Sequence, residues 1–281
     1  MSKKMKIGMG QLLVEGGEPL RNLERAEKMV EEASKKGCDL ILLPETFDFG
    51  WTHPSALKEA QPIPGPYSER LCAVATENRI YICAGLTEKG ETKNYNTALF
   101  IDSEGKILVK YHKINELTVE HPYYAIGQHL SVIDTEFGKV GVNICADNYI
   151  DGLPIGHTLA RMGAQLILSP SSWTVDYSVD ETVDPYREKW IKPYSILAKA
   201  YDLVIVGTTS VGYIVGGPYE GKKMIGCSLA VGKNGIIARG QFNEFAGELV
   251  IADITIPERK EKGTEIGQML LKKGYKFEEV I

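Results

Sequence analysis

Cysteine is scarce and unpaired in this chain: Cys38, Cys72, Cys83, Cys145 and Cys227, an odd number with no C-x-x-C spacing. That pattern argues against a disulfide framework and against a zinc site, and reduced thiols point to the cytosol. No apolar stretch approaches the roughly 18 residues of a spanning helix. The run behind the amino-terminal basic pairs is too short for a signal peptide. A soluble, cytoplasmic protein with no membrane partner is the expectation. Basic residues are outnumbered, 32 Lys and Arg against 37 Asp and Glu, and form no stripe, so no nucleic-acid partner is expected. The five histidines, His53, His112, His121, His129 and His157, contain no H-x-x-x-H pair, and no metal site is expected. No Gly-x-Ser-x-Gly elbow occurs, which removes the familiar serine-hydrolase signature but leaves a Cys–His dyad open. Gly8-Met9-Gly10 lacks the third glycine of a dinucleotide fingerprint.

What is present is an ordinary globular composition, with 43% apolar and 25% charged residues over 281 positions. The pattern alternates between helix and strand. Met5 to Leu13 reads as a strand. Leu20, Leu23, Ala26, Met29, Val30 and Ala33 then make one apolar helical face between Pro19 and Gly37. Leu40 to Leu43 is a continuous apolar run, the mark of a strand buried on both sides. Further helices are predicted over Tyr67 to Asn78, Pro154 to Met162 and Tyr186 to Tyr201. Strands are predicted over Ile80 to Ala84, Leu166 to Leu168, Leu203 to Gly207 and Gly247 to Ile254. Hairpins are predicted across residues 102–105, 137–138 and 232–235. This is an α/β pattern with a mixed sheet, or two sheets, covered by helices. No linker or repeat divides it, so a single domain over residues 1–281 is expected, with a core of about 5–254 and a charged tail, 255–281, packed outside.

Three residues carry the chemistry. Cys145 follows the apolar run Val140-Gly141-Val142-Asn143-Ile144 and precedes a predicted helix, whose dipole would lower the thiol pKa. The Ala146 amide behind it is placed to bind an oxyanion. Glu45 closes the Leu40 to Leu43 strand, where partial burial would raise its pKa and make it a general base. Lys113, in Tyr111-His112-Lys113, would favour the thiolate and stabilise a carbonyl oxyanion. Glu120 is a second carboxylate able to position that lysine.

Taken together the segments resemble the nitrilase superfamily of carbon–nitrogen hydrolases. The glutamate motif stands as Leu42-Leu43-Pro44-Glu45-Thr46-Phe47, the lysine motif as Tyr111-His112-Lys113, and the cysteine motif as Gly141-Val142-Asn143-Ile144-Cys145-Ala146-Asp147. Asn96-Thr97-Ala98, the segment Gly163 to Trp173, and Gly226-Cys227-Ser228 follow the family order. Glu120, seven residues before Gly127, matches the family's second glutamate better than Glu116 does. The resemblance implies a four-layer αββα sandwich with two pseudo-symmetric halves. It also implies no cofactor, association into a homodimer or larger, and a thioester mechanism. In that mechanism Glu45 is the base, Cys145 the nucleophile, and Lys113 with the Ala146 amide the oxyanion donors.

Departures from the family bear on the substrate. Asn148-Tyr149-Ile150-Asp151-Gly152 replaces the usual aromatic, Pro and Glu, Asn115 stands where His is common, and Lys233 where Pro is common. Asn148 and Tyr149 occupy the positions where relatives that grip a substrate carboxylate place Arg. The loop from Thr174 to Asp184 carries four acids and is a candidate pocket rim. Trp173 is a candidate pocket wall. A small-molecule amide or carbamoyl compound is the expected substrate, with a nitrile as runner-up. A catalytically silent binding module of the same fold is the reading from a different class.

Overall fold

The computed structural model describes residues 3–258, 270 and 272–274. Fifteen strands and five α-helices are formed by them. In chain order they are β1 (Lys3–Gln11), α1 (Pro19–Lys35), β2 (Leu40–Leu42), α2 (Ala56–Glu59), α3 (Pro66–Asn78), β3 (Tyr81–Glu88), β4 (Tyr95–Ile101), β5 (Ile107–His112), β6 (Val132–Thr135) and β7 (Gly138–Val142). Then come α4 (Leu153–Arg161), β8 (Leu166–Ser171), β9 (Thr174–Val175), α5 (Lys192–Tyr201), β10 (Val204–Thr209), β11 (Val211–Tyr213), β12 (Lys223–Ile225), β13 (Leu229–Gly232), β14 (Gly235–Arg239) and β15 (Glu248–Ile256).

The strands form two six-stranded sheets, β15-β1-β2-β3-β4-β5 and β14-β13-β10-β8-β7-β6, with a small third sheet, β11-β12-β9. In the first sheet the pairings run antiparallel, parallel, parallel, antiparallel, antiparallel. The second sheet, taken from β6 to β14, repeats that sequence of senses. The molecule thus has two halves of matching topology, as the family resemblance implies.

The short strand β2 shows why the layers stack. Leu40 and Leu42 point into one buried cluster with Met5, Ile7, Met9, Val140, Val142, Leu166 and Leu168, between the two sheets. Ile41 and Leu43 point the other way, into a cluster with Leu23, Ala26 and Val30 of α1 and Leu71 and Val74 of α3. Side chains alternate across a strand, so a run apolar at every position must be covered on both faces. Helices α4 and α5 cover the outer face of the second sheet through Leu159, Leu197 and Ala198. The result is the expected α–β–β–α sandwich.

Helix α1 begins with Pro19 in its first turn, where a missing N–H costs nothing. It ends at Gly37, whose φ of 74° lets the Cys38 amide return to the Ala33 carbonyl at 3.0 Å. Its buried stripe is Leu23, Ala26, Val30 and Ala33. Each larger member contributes about 1.5–3 kcal/mol by leaving water. Leu20, predicted to share that stripe, is 58% exposed, because it falls on the solvent side of the first turn.

The segment predicted as one helix over Tyr186 to Tyr201 opens instead with a π-turn, Arg187–Ile191, before α5 begins at Lys192. Pro193 lies in the first turn of α5 and cannot donate a helical hydrogen bond, so the regular ladder starts only there. The small third sheet was not predicted: its strands are two or three residues long, too short to show a period. The tail expected to pack outside the core lies mostly outside the described residues. No helix among the described residues is long and apolar enough to cross a membrane.

Candidate active site

Three strand ends deliver the candidate residues. Glu45 lies three residues past β2, Lys113 one past β5, and Cys145 three past β7. Strands β2 and β5 run in the same direction in the first sheet, so Glu45 and Lys113 leave it at one edge. The two sheets are tied there: the Glu45 amide donates to the Ser171 carbonyl at 3.2 Å, and Ser172 Oγ donates to the Glu45 carbonyl at 3.1 Å. Gly85 of β3 is required by this junction, since a Cβ there would stand 2.5 Å from Glu45 Cα. Glu45, Lys113, Glu120 and Cys145 are all buried.

Lys113 is the hub. Its Nζ donates to Glu45 Oε1 at 2.7 Å and to Glu120 Oε1 and Oε2 at 2.8 and 2.9 Å. Asn96 Nδ2 bridges the same two carboxyls, at 2.7 Å to Glu45 Oε1 and 3.3 Å to Glu120 Oε1. Trp51 Nε1 adds a donor to Glu120 Oε1 at 2.5 Å, and the Leu117 amide adds one to Oε2 at 2.7 Å. The two glutamates differ as a result. Burial opposes the charge of Glu120, but Lys113, Trp51 and the Leu117 amide overcome it and hold the pKa below the usual value. Burial dominates at Glu45, with Glu120 adding repulsion, and its pKa is raised despite Lys113 and Asn96. Glu45 Oε2 is buried with no hydrogen-bond partner among the described residues. Burial would discharge Lys113, but the two carboxylates more than offset it and its pKa lies well above the usual value. A firm ion pair and a reluctant acid therefore share one ammonium group, the division of roles that general acid–base chemistry needs.

Cys145 opens a four-residue 3₁₀ turn, Cys145–Asn148, with φ of 43°. Left-handed backbone costs a non-glycine residue about 1–2 kcal/mol and persists only where the surroundings impose it. Asp147 does so. Its Oδ2 accepts the Ile144 amide at 2.9 Å and the Tyr111 hydroxyl at 2.7 Å, and its Oδ1 accepts the Asn115 amide at 2.9 Å. The predicted lowering of the thiol pKa does not hold. Burial and the nearby Glu45 raise it well above its usual value, with Lys113 and the Ser172 amide working only partly against them. A turn of four residues is too short for a helix dipole to outweigh desolvation. Burial thus holds the thiol toward its protonated form.

The remaining predicted residues divide. Ala146 is buried directly behind Cys145. Trp173 is buried in an aromatic cluster, stacked on Trp190 at 4.6 Å with Tyr186 and Tyr194 edge-on, and Tyr149 lies tilted against Trp190 at 4.9 Å. Tyr149 feels Cys145 electrostatically, which places this cluster beside the thiol. Asn148, predicted to meet substrate, is turned inward. Its Nδ2 donates to Asn143 Oδ1, Ser169 Oγ and the Cys145 carbonyl, and its Oδ1 accepts from Asn143. The 174–184 loop is not a free acidic rim: Asp176 pairs with Lys222 and Asp184 with Arg239 on the surface. Sequence reasoning assigned no role to Asn96, Trp51 and Asp147. Asn96 and Asp147 lie inside quoted motifs, and that placement was the only signal. Trp51 gave none.

Comparison with known proteins agrees with this geometry. A sequence model of the carbon-nitrogen hydrolase family matches residues 7–262. A nitrilase of Pyrococcus abyssi is 34% identical over 199 residues, 69% of this chain and 74% of that protein. The omega-amidase NIT2 of Xenopus tropicalis is 32% identical over 184 residues, 61% of this chain and 65% of that one. Among solved structures, an amidase from Nesterenkonia sp. superposes with a TM-score of 0.76 at 21% identity, covering 94% of this chain and 95% of its own, a likeness of fold. The chain belongs to the carbon–nitrogen hydrolase family and is an enzyme of that class.

Proposed function

We propose that the chain hydrolyses small amides through a thioester on Cys145. The observation that carries the reading is the buried Lys113 shared by Glu45 and Glu120, with one Glu45 oxygen left unpartnered and its charge felt by a thiol that burial holds toward the protonated form. Glu45 takes the thiol proton as sulfur attacks the amide carbon. Lys113 and the Ala146 N–H stabilise the tetrahedral oxyanion. As the C–N bond breaks, Glu45 returns the proton to the departing nitrogen, and ammonia or an amine leaves. Glu45 then takes a proton from water, which attacks the thioester. The C–S bond breaks, the acid departs, and the thiol regains its proton.

The substrate class follows from charge. Lys113 is the cation at the centre of the site, and both of its carboxylate partners already claim it. A substrate carboxylate would be buried without a counter-ion, at a cost of several kcal/mol. Neutral or cationic amides fit better. The nitrile reading uses the same residues and has support in the likeness to a nitrilase. Ammonia release over a panel of amides, carbamoyl amines and nitriles, by wild type and Cys145→Ala, tests both. Release from amides that vanishes in the variant supports the proposal. Release from nitriles alone moves the assignment to the runner-up, and release that survives Cys145→Ala overturns the mechanism.

A further inference from the structure

Glu116 and Glu120 sit on one loop, four residues apart, beside the same lysine, and the structure treats them oppositely. Glu120 accepts hydrogen bonds from Lys113, Trp51, Asn96 and the Leu117 amide. Both carboxyl oxygens of Glu116 are buried and accept none from the described residues. The position is not loose. The Asn115 amide is tied to Asp147 Oδ1 at 2.9 Å, the Glu116 amide to the Ile114 carbonyl at 3.1 Å, and the Leu117 amide to Glu120 Oε2 at 2.7 Å. The backbone on both sides of Glu116 is thus pinned, one side to the turn that carries Cys145 and the other to the partner of Lys113. The charged and titratable groups around it are Lys113, Glu120, Glu45 and Tyr124. Of these only Lys113 is a cation, and its bonds go to Glu45 and Glu120.

We propose that Glu116 is a positioning residue that works as a neutral acid: with its proton on, it leaves Lys113 to Glu45 and Glu120, and its ionisation switches the site off on the alkaline side. The inference rests on the cysteine mechanism proposed above. The charge balance explains it. In the reactive state Glu45 and Glu120 are negative and Lys113 is positive, so the buried cluster carries one net negative charge. An ionised Glu116 would make that two, with no second cation to meet it. An uncompensated buried charge is strongly unfavourable. It would also oppose the thiolate and the tetrahedral oxyanion, both of which need the positive field of Lys113. A buried carboxyl given no donors is one that stays protonated: burial first, then the charge of Glu120 and a proton held toward that carboxylate, push its pKa up to about 10 against the pull of Lys113.

The test uses iodoacetamide as the probe, which needs no substrate, so failure of this inference and failure of the amidase reading are separable. Alkylation of Cys145 is followed by peptide mass spectrometry from pH 6 upward for wild type and Glu116→Gln. Infrared spectra of both are recorded at pH 8. The protonated-carboxyl C=O stretch should be present in wild type and lost in the variant. The ratio of variant to wild-type alkylation should be flat through neutral pH and climb roughly tenfold per pH unit once the wild-type carboxyl titrates. Should Glu116→Gln not fold, Glu116→Met is expected to give the same two results. A flat ratio across the alkaline range, or infrared spectra with no band lost at pH 8, overturns the proposal.

Discussion

The Tyr111 hydroxyl donates to Asp147 Oδ2 at 2.7 Å, joining the end of β5 to the turn that holds Cys145. One carboxylate thereby connects the strand that leads into Lys113 with the turn that carries Cys145. Asp147 is fully buried, and its pKa is raised by burial against the pull of the Asn115 and Ile144 amides and the Tyr111 hydroxyl. Tyr111→Phe removes one of its three donors and leaves the ring in place. A hydrogen bond to a charged group contributes about 1.5–3 kcal/mol, so thermal unfolding should drop by several degrees. Iodoacetamide labelling of Cys145 should slow as the turn loosens. A melting temperature equal to wild type would show that the two amides alone hold Asp147.

On the proposed mechanism Glu45 should set the acid limb of activity. Only its ionised form accepts the thiol proton, and its pKa lies above the ordinary 4.5 through burial first and Glu120 second. As pH falls through that raised value, kcat/KM should fall about tenfold per unit. Glu45→Gln should abolish turnover, because an amide takes no proton. The profile is read from ammonia release between pH 4 and 9. An acid limb at or below the ordinary glutamate range would remove Glu45 from the role of base.

Asp48 gives a stability prediction with a definite sign. It is fully buried, its Oδ2 accepts the Thr87 amide at 2.9 Å, and its Oδ1 has no partner. Burial raises its pKa from 3.8 to about 7. Between those values the folded protein keeps a proton that the unfolded chain has lost, so stability falls as pH rises through that window and is level above it. The loss is on the order of 4 kcal/mol. Asp48→Asn cannot ionise, so its melting temperature relative to wild type should be higher at pH 8 than at pH 4. Parallel melting curves across that range would contradict the shift.

The residues proposed for catalysis stand out in the sequence because they sit where the chain's patterns break. Glu45 follows a run apolar at every residue from Leu40 to Leu43, and Cys145 follows a run that only Asn143 interrupts. Both-face burial of Leu40 to Leu43 was itself readable, whereas the four-layer arrangement came from the family resemblance. What stayed hidden was what contacts between distant segments decide. Trp51 reaches Glu120 across 69 positions, and no local pattern announces that. Asn148 was expected at the substrate, but the direction of its side chain is set by Asn143 and Ser169. The thiol pKa was misjudged for the same reason. A helix start is visible in sequence, whereas the depth of burial that outweighs it is not.

Lys113 offers the sharpest separation of structure from chemistry. Its removal in Lys113→Met leaves Glu45 and Glu120 facing each other without a cation. Breaking a buried pair in this way costs about 3–5 kcal/mol, reduced where one carboxyl takes up a proton. The variant should therefore melt lower at pH 8 than at pH 5, where protonation relieves the repulsion. Turnover should be lost at both values, since the oxyanion has lost its charged donor. Glu120→Gln in the same background removes one of the two facing charges and should restore part of the stability without restoring activity. Activity recovered in the double variant would mean that Lys113 serves only to neutralise the glutamates. Continued inactivity with recovered stability assigns it a direct part in the transition state.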